Sequence, residues 1–392
     1  MNVLRTVITE SDDLALYVHW PFCVSKCPYC DFNSHVRAAV DQVAWRDALI
    51  ADLRHEAALL PGRRIGSVFF GGGTPSLMPP ATVAAILDAA SAAWGFAPGV
   101  EITLEANPSS VEAARFADLA AAGVNRVSLG LQSLDDRALH FLGRAHDVAE
   151  GVAALGVAQS VFARVSIDLI YARPDQPLVA WQAELAGALA FGTEHISLYQ
   201  LTIEPGTRFA TEALAGRLVL PDQDAAADIF ETTRAMTAAA GLPAYETSNH
   251  ARPGAESRHN LTYWRYRDYA GIGPGAHGRR GGLATVRHRK PENWLAAVAR
   301  NGHGTQSEEP LAPHDRATEA LLMGLRLAEG IDLARIAMLA GGVAPVDAKA
   351  IARLSDLGLM AQTGDRLRVT EAGALLLDAI LPEVVQDAPV TA

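Results

Sequence analysis

"HWPFCVSKCPYCDF", residues 19–32, contains all three cysteines of the 392-residue chain, Cys23, Cys27 and Cys30. The stretch follows "LALYVHW" (14–20), a run dense in β-formers, so the thiols fall on the loop that leaves a strand. A CxxxCxxC loop this short can wrap its sulfurs around one small object, a single metal ion or an iron–sulfur cluster. Four thiolates fill every position of a cubane cluster, whereas three leave one iron open to an outside ligand. A zinc knot completed by His19 or His35 is the competing arrangement, and three unrelated buried thiols the plainest one. Structural zinc sites usually collect their ligands in two separated pairs, which this spacing does not offer.

Five further runs repeat the strand pattern: "IGSVFFG" (65–71), "VEITLEA" (100–106), "RVSLGLQ" (126–132), "ARVSIDLIY" (163–171) and "HISLYQL" (195–201). Between them lie alanine-rich stretches with helical apolar spacing and Pro or Asp near their starts, such as "DQVAWRDALIADLRHEAALL". Strand and helix alternating six times predict an α/β fold with a parallel sheet and right-handed crossovers. The pattern alone fits either a full or partial barrel or an open doubly wound sheet. Placement of the unusual residues favours the barrel. The cysteine loop follows the first strand and "GGGTP" (71–75) the second, while Glu105, Gln132 and Gln200 sit at or near later strand ends. Chemistry in α/β barrels gathers at the carboxyl ends of the strands, so these residues would converge on one mouth.

Composition sets the outer limits. A hydrophobic share of 49% and a charged share of 20% are those of a globular protein, and no apolar run reaches the roughly 20 residues needed to cross a bilayer. The opening "MNVLRTVITESDD" lacks the apolar core of a secretory signal. Three clustered thiols without such a signal point to a reducing, cytoplasmic compartment. A net charge of −11 opposes general nucleic-acid binding.

"CVSKCPYC" resembles the signature of radical S-adenosylmethionine (SAM) enzymes, including the aromatic Tyr29 before the third cysteine. The resemblance implies a [4Fe–4S] cluster on Cys23, Cys27 and Cys30, whose unique iron binds SAM and which, when reduced, can cleave it to a radical. "YVHWPFC", "GGGTPS", "LEANP", "RVSLGLQS", "LGRAH" and "DLIY" occur in the order of the oxygen-independent coproporphyrinogen III oxidase group. That likeness implies a partial (β/α)6 TIM-type barrel with Tyr17, Gly72, Gly73, Thr74, Glu105, Gln132, Arg144 and Asp168 lining the SAM pocket. Gly71, Gly72 and Gly73 would let the main chain come close to the ligand and adopt positive φ.

Two features resemble the heme-chaperone branch of that group rather than the oxidase. The oxidase carries a cysteine two positions beyond the third ligand, where this chain has Phe32. "HNLTYW" (259–264) resembles the HNxxYW motif associated with heme binding. Imidazole can ligate heme iron, which makes His259 the candidate ligand, with His250 and His277 as rivals, and Tyr263 and Trp264 offer flat apolar surface. Between Arg252 and Lys290 nine Lys or Arg face two acids. Arg258, Arg265 and Arg267 are therefore expected to fix the heme propionates. The implied partners are heme, a heme-accepting apoprotein and an electron donor. The alternatives are oxidative decarboxylation of coproporphyrinogen III and, more distantly, a zinc-stabilised binding module.

Three segments follow: a barrel over 1–240, a barrel-closing extension over 241–307 containing HNxxYW, and a helical, winged-helix-like domain over 312–385. "AGIGPGAHG" (270–278) is expected to be a turn that lets backbone approach a ligand, and "EEPLAPHDR" (308–316) a linker. From 312 to 392, seven basic residues against eleven acids leave −4, which opposes DNA binding by the winged-helix-like part. The tail "EVVQDAPVTA" is expected to be loosely ordered.

Overall fold

A computed structural model describes residues 13–37 and 39–386 of the chain; the opening twelve residues and the end of the tail lie outside them. All six expected strands form: β1 (Leu14–Trp20), β2 (Ile65–Gly72), β3 (Phe96–Ala106), β4 (Arg126–Gln132), β5 (Arg164–Tyr171) and β6 (His195–Gln200). They lie side by side in chain order, each pair parallel. Leu14, Leu16 and Val18 of β1, Val68 and Phe70 of β2 and Val127 and Leu129 of β4 are fully buried in the main core. Helices α1 (Gln42–Leu59), α2 (Pro80–Trp94), α3 (Val148–Val161) and α4 (Leu178–Ala190) contribute to that core. Each large apolar side chain so buried contributes about 1.5–3 kcal/mol. Asp41, Asp147 and, for helix α5 (Gln223–Ala239), Asp222 accept backbone N–H bonds at the helix starts.

Side chains alternate along a strand, so the same strands send Tyr17, His19, Phe69, Glu105, Ser128 and Asp168 to the other face, inside the barrel. The register sets Tyr17 beside Phe69, Glu105 beside Ser128 and Asp168 beside Ser197.

Beyond the six strands the sheet continues in both directions. Strand β7 (Asn249–Ala251) runs antiparallel to β6. Strand β8 (Tyr269–Ile272) is a seventh parallel strand, paired with β1. Strands β9 (His277–Arg280), β10 (Leu283–Arg287) and β11 (Thr305–Pro310) follow antiparallel. The resulting sheet of 11 strands has β7 and β11 at its two ends, an architecture of the partial-barrel type.

"AGIGPGAHG" is therefore partly strand rather than a simple turn. Its glycines serve close approach within the chain itself: a Cβ on Gly271 would lie 1.8 Å from the His277 carbonyl oxygen, and one on Gly273 2.3 Å from that of His19. "EEPLAPHDR" is not a free linker either, since it is divided between the end of β11 and the start of helix α7 (Pro313–Gly324).

The carboxyl-terminal part builds its own core around Leu321, Ile351, Leu354, Leu367 and Ile380. The expected hairpin forms between Met360–Thr363 and Arg366–Val369, with Ile331–Asp332 pairing on the far side of the second strand. Among the described residues no helix is long and apolar enough to cross a membrane.

Candidate functional site

At the end of β1 the chain turns at Pro21, and Phe22–Cys23 pairs with His35–Val36, which folds the cysteine loop back on its base. The three thiols are half-buried, and each sulfur has polar neighbours. Thr74 Oγ1 donates to Cys23 Sγ at 3.5 Å, Arg144 Nη1 to Cys27 Sγ at 3.7 Å, and Ser34 Oγ lies 3.9 Å from Cys30 Sγ. Burial pushes the Cys23 and Cys30 thiols up.

Asn107 ties two of these neighbours together, donating to Thr74 Oγ1 at 3.2 Å and accepting from Arg144 Nη2. Its own backbone N–H donates to the buried Glu112 carboxylate at 2.8 Å. Asn107 and Ser34 escaped the sequence reading. Asn107 was legible in principle, as the polar residue just past the third strand in "LEANP"; nothing in the local sequence marks Ser34.

Around the loop the mouth gathers the remaining expected residues. Gly72, at φ +114°, donates its N–H to Glu105 Oε2 at 3.2 Å. A Cβ there would strike the His19 ring at 2.5 Å, and one on Gly73 the Phe22 backbone oxygen at 2.7 Å. Of Gly71, Gly72 and Gly73 only Gly72 takes positive φ, and what Gly72 and Gly73 approach most closely belongs to the chain itself. Burial, then the nearby Asp168 charge, raises the Glu105 carboxyl to about 8. Asp168, also pushed up by burial, accepts from Ser128 Oγ at 3.1 Å. Gln132 ends β4 in the left-handed region at φ +66°, a strained position for a non-glycine residue. Its buried Oε1 has no hydrogen-bond partner among the described residues, and neither has Arg144 Nε. Tyr29, beside Arg144 and Cys27, has its phenol pushed up by burial, and its ring lies 6.3 Å from that of Phe209.

Tyr17 lies one level deeper, bonded to His19 Nδ1 at 2.9 Å. His19 Nε2 donates to the Asn33 carbonyl at 2.9 Å, so the tyrosine hydroxyl donates to Nδ1. Burial holds His19 neutral, near 4. Both its nitrogens are engaged, so His19 is not open as the fourth ligand of a zinc knot, and His35 bonds Asn33 Oδ1 through Nε2 at 3.2 Å. Among the described residues no three His, Cys, Asp or Glu side chains are grouped to hold a metal ion.

HNLTYW lies elsewhere. It forms helix α6 (Arg258–Trp264), which caps the opposite, amino-terminal end of the barrel. His259 is buried and its ring lies 6.1 Å from that of Tyr17 and 4.9 Å from that of Phe69. Its Nε2 bonds the Tyr263 hydroxyl at 2.7 Å and its Nδ1 the Ser67 hydroxyl at 3.3 Å, with burial lowering its pKa to about 3. As α6 stands, neither nitrogen is free for iron. Of the rivals, His250 is buried and bonded to Thr237 at 2.9 Å, whereas His277 is exposed at the rim. Trp264 lies under the Arg326 guanidinium, 5.9 Å from ring centre to carbon, at the junction with the carboxyl-terminal core.

Two of the three arginines expected to cradle the propionates are likewise committed internally. Arg258 donates to the Gly99 carbonyl at 2.6 Å and Arg265 pairs with Glu329 at 2.8 Å. Arg280 pairs with Glu56 and Glu308, and Arg287 with Asp52 and Glu56, all three acids supplied from other elements. Arg279 stacks 3.6 Å over the Tyr266 ring.

Comparison with known proteins converges on one group. Residues 17–179 match the Radical SAM superfamily model and 311–376 the HemN C-terminal domain. Heme chaperone HemW of Escherichia coli (strain K12) is 38% identical over 375 residues, 94% of this chain and 97% of that protein. Heme chaperone HemW of Mycobacterium tuberculosis (strain ATCC 25618 / H37Rv) is 38% identical over 371 residues, 93% of each chain. Radical S-adenosyl methionine domain-containing protein 1, mitochondrial, of Bos taurus is 41% identical over 384 residues, covering 95% of this chain and 87% of that protein. The solved structure of coproporphyrinogen III oxidase (HemN) from Escherichia coli, a radical SAM enzyme, superposes with a TM-score of 0.79. It shares 24% identity over 94% of this chain and 89% of its own, a likeness that speaks for the fold alone. Radical SAM membership implies SAM and a [4Fe–4S] cluster. With near-full-length identity to curated relatives on top of the fold and the cysteine mouth, the chain belongs to the heme chaperone HemW family of radical SAM proteins.

Proposed function

We propose that this protein is a heme carrier that holds a [4Fe–4S] cluster at Cys23, Cys27 and Cys30 and SAM at the remaining iron, and passes heme to an acceptor apoprotein. The observation that carries the cluster is the trio of half-buried sulfurs at a barrel mouth, each with polar neighbours; such neighbours tune cluster potential. The residues fit SAM as well. Gln132 Oε1 is a buried acceptor without a partner, and the amino group and ribose hydroxyls of SAM are donors.

In this reading Gly72, Gly73 and Thr74 form the wall beside the cluster, and Glu105 and Asp168 accept from the amino group or ribose. Tyr17 and Tyr29 shape the floor and the rim. When bound and reduced, the cluster supplies the electron for SAM chemistry. Arg144 holds a positive charge beside Cys27, where it favours the more negative, reduced form. A carboxyl raised to about 8 keeps its proton over much of the neutral range, and a cationic ligand beside Glu105 would draw that proton off.

Domains over 1–240, 241–307 and 312–385 belong to the same proposal, as do a cytoplasmic setting and an electron-donor partner. A heme-iron role for His259, with Tyr263 and Trp264 against the porphyrin, requires α6 to withdraw from the barrel base.

Incubating heme-loaded protein with a heme-requiring apoenzyme tests the carrier role, with transfer of heme as the expected outcome. Anaerobic reconstitution should yield about four iron per chain; stoichiometric zinc would instead favour the binding-module reading. The oxidase reading predicts protoporphyrinogen from coproporphyrinogen III, SAM and reductant. No turnover is expected, because Phe32, 61% exposed, stands where the oxidase has its further cysteine.

A further inference from the structure

We propose that heme docks in the groove outside the cysteine loop, with His140 as the axial ligand of its iron. The inference rests on the heme-carrier reading and adds the place and the ligand. The groove lies between the cysteine loop, the short helix Asp136–Phe141 and the segment around the short helix Arg208–Leu214. Its volume is about 760 Å³, inside the range of roughly 300–1,000 Å³ typical of sites for cofactor-sized ligands.

Three properties of the lining match a flat, dianionic iron porphyrin. The first is an available imidazole. His140 is exposed at the groove and neither ring nitrogen makes a hydrogen bond among the described residues, whereas His19, His195 and His259 each have both nitrogens taken.

The second is an apolar shelf. The rings of Phe141 and Phe209 stack at 4.8 Å with 26° between planes; Phe209 is buried in that pair and Phe141 half-buried, which leaves Phe141 as the apolar contact for an edge of the macrocycle.

The third is charge. Lys26, Arg208 and Arg217 line the groove against one acid, Glu212, so three positive charges less one negative leave two, in a chain of net −11. Glu212 is already paired with Arg217, which leaves Lys26 and Arg208 without an ion pair among the described residues to meet two propionates. Cys27 and Cys30 line the same groove, so bound heme and the cluster would be neighbours.

The test is hemin titration of the full-length, cluster-reconstituted protein, followed by the Soret band and by electron paramagnetic resonance of the ferric iron. His140→Ala should remove the imidazole signature and weaken heme by at least about tenfold, the size of loss common when a metal site is deprived of a positioned partner. His140→Met should keep heme but change the ferric signature. Arg208→Glu should weaken binding by about two- to fivefold with the Soret position unmoved, as befits an exposed charge acting on a propionate. His259→Ala should retain the wild-type Soret band. Wild-type spectrum and affinity in His140→Ala, or loss of the band in His259→Ala alone, overturns the groove and leaves the carrier role standing. Failure of the wild-type protein to take up heme at all overturns the carrier reading and the groove with it.

Discussion

At the mouth of the barrel, Gln132 Oε1 and Arg144 Nε are buried without partners, and Gln132 holds a strained backbone. At the base, His195 bonds Ser166 and Tyr245 at 2.7 and 3.0 Å, and His259 bonds Ser67 and Tyr263. Glu101 there pairs with Arg164 at 2.6 Å and accepts from the His259 backbone N–H at 3.3 Å. Arg126 Nε and Arg279 Nε are exceptions at the base, unpartnered atoms in side chains that otherwise donate to Thr103 and to the Arg267 carbonyl. The same residue types thus serve different ends. Where polar atoms are left open they await a ligand, and where they close on each other they hold the barrel shut around α6.

The strongest way to break this contrast is to remove a thiol. Cys27→Ser should abolish cluster assembly, taking reconstituted iron from about four per chain to near none. Thermal stability of the metal-free protein should barely change. Retention of a full cluster would remove the mouth from the proposal.

Next in size is His259→Ala. Deleting a buried ring that bonds two hydroxyls should cost about 2–4 kcal/mol in denaturant unfolding, with iron uptake intact. A stability change near zero would show that α6 is not the plug described.

Asn107→Ala sharpens the comparison at the mouth, where it strips Thr74 and Arg144 of their shared partner. We expect a loss of about 1–2 kcal/mol and faster bleaching of the reconstituted cluster in air; unchanged bleaching would separate this triad from the sulfurs.

The last test is a pH slope. Between the ordinary value of 4.5 and about 8, folded Glu105 keeps a proton that the unfolded chain has released, so its contribution to stability falls as pH rises through that window. In metal-free protein Glu105→Gln should flatten the decline, read as urea midpoints across the window; an undiminished slope would place the raised carboxyl elsewhere.

How much was legible follows from the range of the signal. The strands were visible because period and composition are local: "RVSLGLQ" and "LALYVHW" coincide with their strands residue for residue. Residues at strand ends could be placed at one mouth because a parallel barrel orients every strand alike. Strand β8 was hidden by glycines that exist to pass close to His19 and His277. The basic run from 252 to 290 looked like an anion site because its acids lie far away in sequence. Asp52 and Glu56 sit on α1, and Arg287 reaches them across 235 and 231 positions.

Taken by itself, the sequence determined the cysteine loop, the six parallel strands and the family they belong to, since spacing of three to ten residues leaves the chain little choice. Only the tertiary structure decided which polar groups are spoken for. It sent His259 into the base of the barrel, gave the arginines distant carboxylates, and left His140 and Gln132 open, because hydrogen-bond partners are assigned by proximity in space.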